Sequence, residues 1–577
     1  MSDDYGILRS LLTQPSDSAW QDILSILEDW PSDSLGMAVE YVKEHTQDWS
    51  DAHRNYPACT TLDAFYALIN KPADWFVHKL AVALILPQSC EIRSAQMCAL
   101  AKKPHFSHLR LIALTSSCVT GEGIKAIASS SVFSNLHALE LRDNVLEDDD
   151  IQTLAASKHL NRLEKLDLGY NHDINTRGLR ALASSPTFDH LTELFLHGCR
   201  LYCKDILELT GSTPFPKLEK LYLSYNELGR ESAKAIAHSG AFPNLKVLHL
   251  VGNELRSDGA KTLAASTTLR ELEELYLSQN NMGHQGPNAI VTSSAFKKLK
   301  VLDLPGGSDF GAEGAKLLAN TTSFPDLEVL YLSRNKLGDQ GMQYLAQSQN
   351  LTKLKTLILS NNGVSSVGVR TLVHSKAFPQ LQKLLLDNNI LKPEGVQAIA
   401  ETEQLTQLEE LELSRTHIGD KGLAFFAQAK SLQQLKILSL TSNGISPKGV
   451  EALTSAPVLH KLERLDLSIN PNFKNEGAKV LAQSQVLQRL KVLSLYRCQL
   501  EDQGVKWLSQ SENFAHLEIL MLPSNKITDE GAKILAESQA FPRLQRLILA
   551  GNRLSSEGQQ ALRDANNFPQ LKDLIFD

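Results

Sequence analysis

The chain has no apolar run approaching the ~18 residues that a membrane-spanning helix needs. Its start, MSDDYGILRSLLTQ, is acidic and carries no apolar core, so a secretory signal is not expected. Cysteine is scarce: seven residues, an odd count without framework spacing, which suits a reducing, cytoplasmic compartment. There is no basic excess, since 58 Lys+Arg stand against 65 Asp+Glu for a net charge of −7. That balance argues against a general nucleic-acid binder. Catalytic signatures are missing as well, with no nucleophile-elbow serine, no His-Glu-x-x-His and no phosphate loop. The run PGGSDFGAEG from Pro305 lacks the Lys-Ser/Thr of such a loop. We therefore expect no enzyme, no cofactor and no metal.

What the sequence has instead is a period. A nine-residue frame, LEKLYLSYN at residues 218–226, has leucine at places one, four and six and asparagine at place nine. It opens at Leu109, Leu136, Leu163, Leu191, Leu218, Leu245, Leu272, Leu299, Leu327, Leu354, Leu381, Leu408, Leu435, Leu462, Leu490, Leu517, Leu544 and Leu571. The step is 27 residues fourteen times and 28 residues three times, the self-similarity of a repeat architecture. Alternation sends Leu221 and Leu223 into a core while Lys220, Tyr222 and Ser224 point the other way. Asn226 stands where the chain leaves the strand, placed to bond backbone groups that no neighbouring strand satisfies. Between frames, LGDQGMQYLAQSQ (337–349) sets Met342, Leu345 and Ala346 at helical spacing behind an opening Gly341. Phe324-Pro325 and Phe378-Pro379 are expected to stop the helix. No unit buries its apolar face alone, so neighbours must stack.

The frame and its N-x-L-x-x-x-G-x-x-x-L-A continuation resemble the leucine-rich repeat family over residues 109–577. The long helical segment is similar to the ribonuclease-inhibitor-like subclass. The resemblance implies an α/β fold: a curved right-handed solenoid, a horseshoe with a parallel sheet inside and helices outside. It also implies a protein-interaction scaffold or receptor-like adaptor that grips a protein partner on its concave face. Relatives in this class also activate small GTPases, inhibit enzymes or act as subunits of larger assemblies, and those readings stay open here.

Residues 1–80 do not carry the repeat and read as a helical cap or docking region. Helices are expected over 19–30, 35–45 and 62–70, with Pro31, Ser32 and Asp33 closing the first and capping the second. Trp20, Trp30, Trp49 and Trp75 all lie there. Residues 81–108 read as a degenerate first repeat with Val82, Ile85 and Cys90 in register, which puts Pro87 at a core place. Eighteen full units follow over 109–577.

Cysteine replaces the place-nine asparagine at Cys199 and Cys498, and Thr416, Ser117 and Gly307 replace it elsewhere. His197, Cys199 and Cys203 have metal-like spacing but no fourth ligand nearby, so a column role is favoured. The longer steps put their extra residue in the loops at Asn171, Gly306 and Asn470. Place two alternates in sign through Glu219, Lys246, Glu273, Lys300, Glu328 and Lys355, which sets register more than affinity. The acid pair Glu140 and Asp167 is expected to be balanced by Arg142, and the acidic run Glu147 to Asp150 to lie solvated in a loop.

The candidate binding residues stand at place five, on the outward side of the strand. From Phe195 the column runs Tyr222, His249, Tyr276, Asp303, Tyr331, with Tyr170, Tyr225 and Arg334 flanking at place eight and His197 at place seven. The later equivalents Glu412, Asp466 and Met521 are not aromatic, so the aromatic choice is regional. Clustered outward aromatics are typical of interaction sites. Solvent-facing rings of this kind are expected to tolerate alanine with little loss of stability. At the other end, LKDLIFD leaves Leu571, Leu574 and Phe576 in strand register, and that edge is a candidate for self-association or a partner contact.

Overall fold

The computed structural model describes residues 11–12, 16–28, 35–46, 83–85, 94–211, 215–304, 306–307 and 310–576. They fall into two compact units, residues 1–280 and 281–577.

In the first unit the strands are three residues long and pair in parallel with the strand one repeat on, from Ala83–Ile85 to Glu274–Tyr276. Each occupies places three to five of the frame. The inward leucines at places four and six (Leu166 and Leu168, Leu194 and Leu196, Leu221 and Leu223) are all buried, with 0% of their surface exposed. Burying a leucine this fully is worth about 1.5–3 kcal/mol, and the frame repeats it twice in every unit. Helices such as Thr176–Ser184 and Gly229–His238 follow the strands and pack on the helices of neighbouring repeats.

The asparagines knit repeat to repeat. Asn171 Oδ1 accepts from the amides of Asn144 and Leu146 in the preceding repeat, both at 2.9 Å. Its Nδ2 donates to Leu141 O at 3.0 Å and Leu168 O at 2.8 Å. One buried side chain thus satisfies four backbone groups at the bend where the ladder ends. Cys199 keeps only part of this role, donating its thiol to Leu168 O at 3.2 Å, and burial pushes that thiol up to about 12.

The second unit repeats the scheme from Val301–Asp303 to Asp573–Ile575, again in parallel register. Asn443 accepts from Thr416 N at 3.1 Å and Ile418 N at 3.3 Å, and donates to Leu413 O at 2.8 Å. Its final strand pairs on one side only among the described residues. There Leu574 and Phe576 are half-buried and Ile575 is 37% exposed. Place-two charges pair within both units: Lys246 with Glu219 at 2.7 Å, Lys355 with Glu328 at 2.7 Å and Lys436 with Glu409 at 3.0 Å.

Several expectations need correction. The helix after Asn335 begins at Gly338 and not at Gly341. Gly341 is buried in its first turn, where an added Cβ would stand 2.8 Å from Leu337 Cβ; its smallness lets the chain pack. The Phe-Pro pairs do not stop the helices, which end earlier at Asn320 and Val373. Phe324 and Phe378 are instead core residues, 2% and 6% exposed. The acidic run is not a solvated loop: the helix Asp148–Ala155 starts inside it, and Asp148 and Asp150 are 4% and 7% exposed. Asp148 Oδ1 accepts from Asn175 N at 2.8 Å and Gly178 N at 2.9 Å, and Asp150 from Gly121 N at 2.8 Å. These carboxylates satisfy the open amides at the start of neighbouring helices. Asp339, Asp420, Asp502 and Asp529 do the same for the next repeat through Ser365, Ser446, Thr528 and Ser555.

Before the repeats, helices Asp17–Glu28 and Leu35–His45 bury Trp20, Ile23, Leu27 and Val42 completely. The worn repeat is shifted by one residue from the expected register. Leu84, not Ile85, pairs with Ile112 and faces inward, 1% exposed. Val82, Pro87, Cys90, Trp30, Trp49, Trp75, residues 62–70, Pro305 and Asp577 lie outside the described residues.

Candidate protein-binding face

Consecutive parallel strands carry the place-five side chains of the first unit as direct partners: Phe195 beside Tyr222, Tyr222 beside His249, His249 beside Tyr276. Strands about 4.8 Å apart leave room for one flat ring each only if the rings stand parallel. They do. Ring centroids are 4.1 Å apart for Phe195 and Tyr222, 4.5 Å for Tyr222 and His249, and 3.9 Å for His249 and Tyr276. All four are half-buried. This corrects the expectation of freely solvated rings: their faces cover one another, and the edges are what the column presents. Stacked aromatic pairs contribute about 0.5–1.5 kcal/mol beyond area, so these residues also hold the sheet face together.

The flanks are polar. Tyr276 donates its hydroxyl to Glu274 Oε2 at 2.9 Å. Lys220 bonds Glu193 at 2.6 Å, which raises its pKa, and Lys165 bonds Glu140 at 2.7 Å while standing 5.3 Å from the Phe195 ring. Of the expected acid pair, Glu140 is balanced by Lys165, whereas Arg142, 4.6 Å over the Tyr170 ring, places its charge near Asp167 and, against the burial that raises that carboxyl, pulls it down. Burial lowers His249 to about 4, with His197 adding to the shift, so the column is neutral near pH 7. Burial likewise lowers His197, against the pull of Asp167, and raises Asp167 and Tyr222.

His197 and Tyr170 form a second, smaller cluster, edge to face at 5.1 Å. Glycines make its seats. A Cβ on Gly169 would meet the His197 ring at 2.5 Å, and one on Gly198 or Gly252 would meet Tyr170 or Tyr225 at 2.9 Å. Sequence reading picked out the rings and missed these glycines, although the order Tyr170, Gly198, Tyr225, Gly252 at place eight was visible. Tyr225 is 52% exposed. In the second unit, Asp303 pairs with Tyr331 on adjacent strands. Asp303 is 7% exposed, Tyr331 half-buried and Arg334 exposed. Cys199 of the suspected metal trio is turned into the core, as its bond to Leu168 O requires.

The leucine-rich repeat profile matches nine segments: residues 159–183, 216–237, 243–264, 325–346, 350–373, 404–427, 431–453, 458–482 and 515–536. Each spans one strand and the helical segment that follows it. Each unit has the leucine-rich-repeat fold, a stack of strand-and-helix repeats on one parallel sheet. No curated protein matches the sequence. Among solved structures, the repeats are similar to those of the TLR13–ssRNA13 complex at 18% identity and TM-score 0.41, covering 89% of this chain and 64% of that one. The mouse RP105/MD-1 complex is similar at 18% identity and TM-score 0.41, covering 82% and 88%. The yeast Rad7 and Elc1 complex is similar at 16% identity and TM-score 0.39, covering 74% and 84%. The chain thus spans less than two thirds of the first of these. No helix among the described residues is long and apolar enough to cross a membrane.

Proposed function

We propose that this leucine-rich-repeat chain is a non-enzymatic scaffold that binds a protein partner on its strand face, with Phe195, Tyr222, His249 and Tyr276 at the centre. The observation that carries the reading is the stacked column itself, with centroids 3.9–4.5 Å apart on four successive strands. A column fixed by its own stacking offers large contact area with little rotamer entropy left to lose on binding. In the second unit, Asp303, Tyr331 and Arg334 form a separate candidate contact set of their own. The helices of seven to ten residues that follow most strands favour the ribonuclease-inhibitor-like subclass. The free thiols of Cys98, Cys118, Cys199, Cys203 and Cys498 favour a reducing, cytoplasmic setting. The test is affinity capture with the intact chain, followed by the same capture with Tyr222→Ala combined with Tyr276→Ala. A partner held by the wild type and lost by a still-folded double variant supports the site; equal capture removes it.

A further inference from the structure

Tyr170 and Tyr225 share a conformation that tyrosine rarely adopts. Both sit at place eight with φ of +58°, the left-handed region where a Cβ is strained and glycine or asparagine is at ease. The same place is left-handed in most repeats whatever residue fills it, from Gly198 and Gly252 at +67° to Gln279 at +60°, Arg334 at +59° and Ile469 at +55°, so the turn of the repeat sets this backbone and the sequence chooses only the side chain it presents. The inner face of each ring is seated alike, Tyr170 on Gly198 and Tyr225 on Gly252, with a 2.9 Å approach to an added Cβ in both cases.

The outer faces differ. Over Tyr170 stands the guanidinium of Arg142, 4.6 Å from the centroid, supplied by place seven of the preceding repeat. The corresponding residue before Tyr225 is His197. Its ring turns away, packing on Gly169 and edge-on to Tyr170 at 5.1 Å. Among the described residues no cation or ring covers Tyr225, which is 52% exposed. The molecule therefore contains a completed tyrosine–guanidinium pair and, two repeats on, the same seat with the cation missing.

We propose that the outer face of Tyr225 is a cation–π subsite that takes an arginine side chain of the bound protein. This rests on reading the strand face as the docking surface. Arginine is the favoured cation because the internal template is itself an arginine. A planar guanidinium also stacks on a ring that presents its face, where a lysine ammonium acts as a strongly hydrated point charge. The net charge of −7 favours a basic segment as its carrier.

The probe is a blocked arginine peptide, compared with its citrulline isostere of the same shape without charge, at physiological ionic strength. Titration calorimetry on the intact chain should show the arginine peptide binding several-fold more tightly than citrulline. Tyr225→Asn, which suits the left-handed backbone, should weaken the arginine peptide by about fivefold, the size expected of one such contact. Tyr225→Phe should keep it. His197→Arg, which supplies the missing guanidinium from within, should block it. Equal binding of arginine and citrulline, or a Tyr225→Asn chain that melts normally and binds arginine as well as the wild type, overturns the subsite. The two readings separate: loss of the captured partner in the Tyr222/Tyr276 double variant with no effect at Tyr225 removes the subsite and keeps the face. An effect at Tyr225 with no effect of the double variant keeps the subsite and removes the column.

Discussion

The outward column of the first unit and that of the second are set on the same kind of strand and carry opposite contents. In the first, four rings stack from Phe195 to Tyr276. In the second, four successive strands in the middle of the column carry Glu412, Ser439, Asp466 and Ser494 at the corresponding place. There short side chains bond locally: Ser439 to Ser414 at 2.9 Å and Ser494 to Ser468 at 2.7 Å, with Glu412 and Asp466 accepting from the amides of Ser414 and Ser468. Underneath, nothing changes. Leucines at places four and six are buried in both, and Asn171 and Asn443 bridge their repeats in the same way. Cys199 and Cys498 each donate to a leucine carbonyl at 3.2 Å. The periodic part of the sequence holds the fold, and the aperiodic part at places five and eight writes the surface on which we propose a partner docks.

That contrast sets the expected sizes of substitutions. The largest effect belongs to the shared framework: Asn171→Ala and Asn443→Ala should each cost about 2–4 kcal/mol, because buried amides and carbonyls lose their partner. Denaturant unfolding of both variants should give similar losses, and a large loss in one unit alone would break the equivalence. Next comes the column. Tyr222→Ala should cost about 1–2 kcal/mol from lost stacking and area, whereas Ser439→Ala, at the same place in the second unit, should cost about 0.5 kcal/mol. Equal losses would mean the stack adds nothing to the fold.

The pH dependence follows from His249. Its folded value of about 4 lies below the ordinary 6.5, so the unfolded chain binds the extra proton first. The stabilisation is complete above about pH 6.5 and is lost as pH falls toward 4, by about 1–2 kcal/mol once solvent screening is allowed for. His249→Phe keeps the stack and should flatten this part of the stability–pH curve; an unchanged slope would assign the dependence to other groups. The smallest effects are the charge pairs. Double-mutant cycles on Glu219–Lys246 and Glu409–Lys436 should each give about 0–1 kcal/mol and shrink in salt.

Much of this was legible in the sequence. A 27-residue period with leucine alternation dictates a strand-and-helix unit that must stack, and Asn226 at the strand exit announces its own bonds. The aromatic column was visible because place five is fixed by the frame. What could not be read was how the rings use their faces, since 4.8 Å strand spacing permits either mutual stacking or splayed rings. The helix-start carboxylates were missed because Asp148 and Asp150 cap groups a whole repeat away, beyond any local pattern. The register of the worn repeat was missed because Leu84 and Ile85 are equally apolar, and only pairing with Ile112 decides between them.

The most direct test of the central claim is a paired binding measurement on the captured partner. One arm carries Tyr222→Ala with Tyr276→Ala, the other Ser439→Ala with Ser494→Ala at the same place in the second unit, each checked for melting. The account predicts a loss of about 2 kcal/mol or more in affinity for the first variant and an unchanged affinity for the second. Equal affinities in both arms, or a loss confined to the second, would contradict it.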